Sequence, residues 1–454
     1  MLLQKKVKII LIILLLLVAT RFFYGIAKNP SLWFAGVSVD NRYDSQLSPG
    51  TNTVRKYGPV FIIVMKAVKT FAQKDYIPIV WRILSILTYA LIVYFVMKII
   101  LLVQNLFFQD DGRLNCYIFA LLALTFSPMI YHISNGSAEV FCALSVVCHF
   151  YYFYKKKYFL ASLFIIGGIY FTLFPLPFVV PYIVFSIFSK SHKNYFYSII
   201  LSTLIISLIS FLFQGWRDGA LYPFSMVFSI MDNTGDTRML SIWNREVFAP
   251  LSFINKLING FNVQNAAAMT EVTKSIAKLF VFLSIGINIF LGWLLTKFEC
   301  KWKDNDKTRL FHLLFFQVIF EIIFFSFSLH FAIAHVVLMI IAIFSPLILF
   351  SFKEYQISNK TFLQLTGAGL FITGIILMGG GLPLSILCKI MPLEWLHKMA
   401  GNQPVNFTLY EIYIWYHIPM FGFYTVVLSL LCYIPTMKKV RKSFVQNTST
   451  ISFK

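Results

Sequence analysis

Charge is what this sequence has least of. Only 13% of its 454 residues are Asp, Glu, Lys or Arg, whereas 58% are apolar and the mean hydropathy is +0.75. A chain so poor in charge cannot cover a water-facing surface, which excludes a soluble globule. Acidic residues are the scarcer sign, 18 against 39 basic, and in a soluble protein the net charge of +21 would suggest nucleic acid. Its placement excludes that partner. Basic clusters fall in alternate short loops: Lys5 to Lys8, Lys155 to Lys157, Lys190 and Lys193, Lys297 to Arg309, Lys353 and Lys360, and Lys438 to Lys442. That alternation is the positive-inside pattern and puts both termini in the cytoplasm.

Other absences narrow the field. The six cysteines (Cys116, Cys142, Cys148, Cys300, Cys388, Cys432) are scattered, with neither metal-ligand spacing nor a disulfide framework. No internal repeat is evident, which argues against a transporter built from inverted repeats. The first apolar run, Ile9 to Thr20, follows three lysines as a signal peptide would, but no small-residue cleavage site follows it. Arg21, Phe22, Phe23 and Tyr24 continue the segment, so it reads as a retained anchor. Nor is any stretch polar enough to form a soluble domain of useful size.

What is present is a succession of apolar runs, each long enough to cross about 30 Å of hydrocarbon. The expected fold class is therefore all-α, a polytopic transmembrane bundle of about twelve spans. Residues 1–436 form one membrane domain, with external loops at 26–75, 215–275 and 388–414, and residues 437–454 form a short basic cytoplasmic tail. The expected spans include Tyr76 to Leu106, Ala138 to Tyr154, Phe159 to Leu173, Tyr195 to Gln214, Ile276 to Lys297 and Leu313 to Leu329. Phe174-Pro175-Leu176-Pro177 turns the chain between two of them.

The chain is organised around its first polar excursion, Asn29 to Lys74. It carries Asp40 and Asp44, Arg42 and Arg55, and the aromatics Trp33, Phe34, Tyr43 and Tyr57. Tyr57-Gly58-Pro59 then breaks the chain before an amphipathic run, Val60 to Phe71, too short and too charged to span. A charged loop followed by a helix lying on the surface is the layout of a site at a membrane face. Further on, the loop around Trp216, Arg217, Asp218, Tyr222, Asp232, Asp236, Arg238, Trp243 and Arg245 mixes aromatics with charges. That mixture suits a sugar, whose faces stack while its hydroxyls hydrogen-bond; an interfacial aromatic belt explains part of it equally well.

A charge within hydrocarbon costs roughly 2.5–3.5 kcal/mol on insertion scales, so each one asks for a reason. Arg82, near the external start of its span, either snorkels to headgroups or presents its planar fork to a lipid-linked phosphate. Glu139, in Asn135-Gly136-Ser137-Ala138-Glu139, falls at an external turn, where exposure alone would account for it. His330 and His335 fall at the external tip of a hairpin. Spaced by five, they share a helix face poorly, which argues against a two-histidine metal site.

Taken together, these features resemble the GT-C membrane glycosyltransferases, and most of all glycosyltransferase family 87, the polyprenyl-phosphate-mannose-dependent type. Tyr57-Gly58-Pro59-Val60-Phe61 resembles that family's Tyr-Pro-Pro-Leu-Phe. Asn41-Arg42-Tyr43-Asp44 resembles its Leu-Tyr-Asp loop ending. The segment from Asn135 through Gly167-Gly168 to Pro177 resembles its Gly-Gln-x-Asn to Lys-Pro-x-Pro stretch, and Ser326 to His335 its Ser-Pro-x-Ser-Trp-x-His hairpin. These matches run from Asn29 to Phe350. The departures are specific: the family's early loop Asp falls at Asn29, its Gln at Ser137 and its Lys at Phe174.

The resemblance implies inverting transfer of a hexose from a polyprenyl-phosphate donor to a lipid or glycan acceptor at the external face of a plasma or inner membrane. The attack needs a base to take the acceptor hydroxyl's proton, and Asp40 or Asp44 must supply it where the usual carboxylate is missing. The leaving phosphate is a weak base, so no general acid is required. Arg42, Arg55 and Arg82 are the expected cations near the phosphate, with Tyr57, Glu139, His330 and His335 as further substrate contacts. The scheme calls for no metal or cofactor, and its partners are the donor, the acceptor and membrane lipids. The rival readings are a lipid-linked oligosaccharide flippase or other transporter, and a glycan polymerase. A transporter would concentrate its polar groups at mid-membrane rather than at external span ends.

Overall fold

The computed structural model describes residues 57–71, 76–107, 139–173, 175–189, 191–225, 250–259, 271–299, 306–327, 362–379 and 418–429, with a few isolated positions besides. Among these residues the chain is helical and forms no strand. Its helices are α1 (Pro59–Phe71), α2 (Ile77–Phe107), α3 (Glu139–Tyr154), α4 (Tyr158–Phe171), α5 (Leu176–Phe188), α6 (Lys193–Gly215), α7 (Pro250–Asn259), α8 (Glu271–Glu299), α9 (Asp306–Phe327), α10 (Phe362–Gly379) and α11 (Ile418–Ser429). Three stretches are long and apolar enough to cross a membrane: Ile79–Leu102 in α2, Lys193–Ser225, which is α6 with the turns that follow it, and Lys278–Glu299 in α8. The expected spans and the observed helices agree in place, with ends shifted by a few residues. The largest departures are at Asp306, where α9 begins seven residues before Leu313, and at Glu271, where α8 begins inside the stretch read as the 215–275 loop.

Apolar packing sets the order of the helices. α3 lies against α2 and α4, α4 against α6, α5 against α6 and α8, and α8 against α9. Two contacts fix how closely they approach. A side chain at Gly168 of α4 would collide with Ser145 of α3, and one at Gly292 of α8 would collide with the Pro181 carbonyl of α5. Hydroxyls inside these helices bond back to their own backbone, as Ser85 does to the Trp81 carbonyl (2.9 Å) and Thr88 to that of Leu84 (2.7 Å). Such back-bonding satisfies a polar atom where no water is present.

The bundle has two unlike ends. At the basic end, α3 runs into Lys155 to Lys157, α5 into Ser189, and α8 into Glu299, while α9 leaves from Asp306. Glu299 closes this end: one of its oxygens accepts from Ser189 Oγ (2.7 Å), from the Ser191 backbone N–H (2.9 Å) and from the Ser191 hydroxyl. Arg309 donates to the Tyr154 carbonyl (3.2 Å) and to Asp306 (3.2 Å), which also pairs with Lys156 (2.8 Å). The Lys156 ammonium is the main reason the Asp306 carboxyl lies below the usual carboxylate range. The opposite end carries the C-terminus of α4, the N-terminus of α8 and the end of α6, where Gly215, at φ 75°, admits the π-helical turn Trp216–Ala220.

His192 joins the basic end to the core. It is 2% exposed, and burial pulls its imidazole down to about 4 from 6.5. Arg309 and Lys156 push the same way, and nearby Glu299 opposes them. The folded state thus keeps His192 neutral in a window where the unfolded chain takes up a proton. Its contribution is complete above pH 6.5 and is lost as pH falls toward 4, by about 3 kcal/mol at most. The thermal midpoint in detergent should fall across that window, and His192→Gln should flatten the fall. An equal slope in both proteins would rule this out.

Candidate functional site

The end opposite the basic cluster is where distant motifs meet. Pro59 opens α1 at a position whose N–H would be unsatisfied in any residue. Just before it, the Gly58 N–H donates to the Phe171 carbonyl at 2.8 Å, pinning the start of α1 to the last turn of α4. Only glycine fits there, because a Cβ would collide with the Tyr170 carbonyl and the Tyr222 ring. Tyr57 stacks on Phe61 (4.4 Å between ring centroids), and Phe61 meets Trp81 (5.6 Å) and Phe171 (5.4 Å) edge-on. Phe141 closes the cluster against Trp81 (4.9 Å) and Phe171 (5.4 Å). Met65 and Val68, one and two turns along, face the same cluster, while Lys66 and Phe71 are exposed. α1 is therefore docked by one face along its whole length.

Polar bonds reinforce the same end. Cys142 Sγ and Thr172 Oγ1 lie 3.1 Å apart, joining the first turn of α3 to the turn after α4. The Tyr170 hydroxyl donates to the Ala220 carbonyl (2.9 Å) and meets Ser207 Oγ (2.5 Å), tying α4 to the π-helical turn beyond α6.

Of the residues singled out in the sequence, Tyr57, Arg82 and the backbone of Glu139 fall in this assembly. Tyr57 is buried within the cluster. Arg82 follows Trp81 and is 2% exposed. The snorkelling alternative for Arg82 is thereby corrected: α2 turns it into the protein, because Trp81 and Ser85, both fully buried, share its side of the helix. Glu139 opens α3, two and three residues before Phe141 and Cys142. Asp40, Arg42, Asp44, Arg55, His330 and His335 lie outside the described residues.

The loop read as a sugar-stacking region is only partly available for that role. Trp216 is 66% exposed and Arg217 is exposed, but Tyr222 is buried beside Gly58. The same stretch holds α7, which sequence reading missed by treating 215–275 as a single loop. α7 packs on α8 and α9 and buries Ser252, Asn255 and Lys256. Burial pushes the Lys256 ammonium well below the usual lysine range. The signal was present in the spacing, since three polar residues at i, i+3 and i+4 share one helix face.

Compared with known proteins, the chain matches no protein-family model and no curated protein.

Proposed function

We propose that this chain is a GT-C-type membrane glycosyltransferase that moves a hexose from a polyprenyl-phosphate donor to a lipid or glycan acceptor, at the membrane face opposite its basic end. The observation that carries the reading is the Gly58–Phe171 hydrogen bond with the aromatic cluster around it. It joins Tyr57-Gly58-Pro59, Trp81-Arg82, the start of α3 and the Thr172–Pro175 turn, segments separated by up to about a hundred residues. Of these, Tyr57-Gly58-Pro59 and the stretch from the start of α3 to Pro175 are the ones that resemble the family's motifs. The proposal includes about twelve spans, a plasma or inner membrane, and both termini in the cytoplasm with the lysine-rich loops.

The chemistry asked of the site is modest. A loop carboxylate takes the acceptor hydroxyl's proton as that oxygen attacks the anomeric carbon, and the sugar–phosphate bond breaks to leave a polyprenyl phosphate. Developing charge on the phosphate is stabilised by cations held in a dry environment, where such interactions are strongest. Arg82 is such a cation, already buried and fixed on a helix.

Purified protein in proteoliposomes should consume polyprenyl-phosphate hexose and release polyprenyl phosphate when acceptor is present. Arg82→Lys should reduce turnover by roughly tenfold to a hundredfold, because a point charge cannot copy a bidentate fork. If wild-type protein consumes none of a panel of polyprenyl-phosphate sugars, the proposal is wrong. Full turnover by Arg82→Lys would remove that residue from the phosphate site.

A further inference from the structure

The docked end stops short of the far edge of the membrane. α3, α4 and α5 contain 16, 14 and 13 residues and are about 24, 21 and 20 Å long, less than the roughly 30 Å of hydrocarbon. α6 and α8, of 23 and 29 residues, run on past them. Their contacts give the levels. The Tyr170 hydroxyl meets Ser207 about 21 Å along α6 from Lys193, leaving about 12 Å of helix before Gly215. α5 and α8 run side by side, with Pro181 against Gly292 and Ser189 against Glu299. The first residue of α5 is thus level with the middle of α8, and Lys278, where the apolar stretch of α8 begins, stands about 13 Å beyond it. Past these levels α6 exposes Leu208, Leu212 and Phe213, and α8 exposes Leu279 and Phe282, so both helices are still in hydrocarbon there.

α1 is docked at this submerged level. Its inward face holds Phe61, Met65 and Val68, but its outward face carries Lys66, Ala67 and Thr70, all exposed. A cation turned toward acyl chains is costly, so the outward face of α1 looks into a polar recess rather than into lipid. The Thr70 hydroxyl donates to the Lys66 carbonyl (2.9 Å) and is occupied by its own helix, which leaves the Lys66 ammonium as the group this face presents. We propose that α1 floors a polar recess sunk roughly 10 Å beneath the far face, and that Lys66 binds there the phosphate of a lipid-borne substrate. An ammonium is a strong donor to phosphate oxygens. At this depth the phosphate belongs to a molecule whose chain stays in the bilayer, and Phe71, 91% exposed at the end of the same helix, offers that chain an apolar contact. The inference rests on the lipid-phosphate donor reading and adds to it a cation and a depth. It also moves α1 below the surface position that its sequence suggests.

Two measurements on full-length protein in nanodiscs test it. A fluorophore on Ala67→Cys, quenched by lipids carrying nitroxides at graded depths, should report a position roughly 10 Å below the far-face headgroups. A nitroxide at the same position should stay open to a water-soluble nickel chelate. A fluorophore at headgroup level would put α1 on the surface, and a nitroxide closed to nickel would put this face in lipid; either result overturns the proposal. Binding of polyprenyl monophosphate should weaken roughly tenfold or more with Lys66→Met and be largely kept by Lys66→Arg, at an unchanged thermal midpoint. Polyprenol, the same chain without phosphate, should bind wild type and Lys66→Met alike. Equal binding of polyprenyl monophosphate by Lys66→Met and wild type overturns the assignment. Equal competition by inorganic phosphate or by phosphatidylglycerol also overturns it, making Lys66 a contact for any anion or for bulk phospholipid. A Lys66-dependent phosphate site in a protein that transfers no sugar would sustain this inference and sink the transferase reading. Sugar transfer by a protein in which Lys66→Met binds as wild type does would do the reverse.

Discussion

Replacing Gly58 with valine should detach α1 from the bundle and silence the far end of the molecule. The collision is of two kinds. The Tyr222 ring is the far end of a side chain and can swing away, but the Tyr170 carbonyl is helix backbone and cannot. Relief therefore requires the Tyr57–Pro59 segment itself to move, which breaks the hydrogen bond from Gly58 to Phe171. Overpacking of this kind costs about 1–3 kcal/mol, and a buried carbonyl left without its donor costs a similar amount. A cysteine pair replacing Phe61 and Phe171, whose ring centroids lie 5.4 Å apart, reports the docking when bridged by a short bifunctional thiol reagent. Cross-linking of that pair should be efficient in the Gly58 background and largely lost with Gly58→Val. Adding Tyr222→Ala should recover only part of it, because the backbone clash remains. Full cross-linking in the Gly58→Val protein would mean that α1 is not held by this contact. The proposed sugar transfer should fall by at least roughly tenfold with the loss of docking.

The apolar helices were legible because a long hydrophobic run has few alternatives, and Pro59 and the Phe174–Pro177 turn punctuate the chain as proline does elsewhere. The convergence of Tyr57-Gly58-Pro59 with Phe171 was not legible at all. Nothing in the local sequence says that an N–H at position 58 will find a carbonyl more than a hundred residues away. Arg82 illustrates a limit of span-end reasoning. Depth along a helix can be counted from sequence, but the direction a side chain takes depends on which neighbour packs against that face. α7 illustrates another. Its polar stripe breaks the usual rule that polar faces point outward, so a pattern search expecting water outside assigns it to a loop. At the basic end, Glu299 accepts three hydrogen bonds from residues 108 and 110 positions earlier. No spacing rule reaches that far. The two loop aspartates, which the proposed chemistry needs most, lie outside the described residues and rest on sequence reasoning alone.

That reasoning makes its sharpest demand at Asp40. The base must sit near the bilayer surface yet come within about 2.6–3.2 Å of an acceptor hydroxyl in the reactive complex. Asp75 falls in the sequence at the start of the second expected span, where helix capping would account for it. Asp44 is followed by Ser45 in a turn-forming context, which gives its carboxylate a local use. Asp40, between Val39 and Asn41, has no such turn to serve and is the first choice. Asn is nearly isosteric with Asp but cannot accept the proton, so Asp40→Asn should lower transfer by roughly a hundredfold or more. Expression, thermal midpoint and binding of polyprenyl phosphate should stay at wild-type levels, separating lost basicity from lost structure. An active Asp40→Asn beside a dead Asp44→Asn exchanges the two roles. If both variants turn over at the wild-type rate, no loop carboxylate is the base. A proton acceptor would then have to come from the docked end of the bundle, where Glu139 opens α3 and Asp218 lies in the π-helical turn.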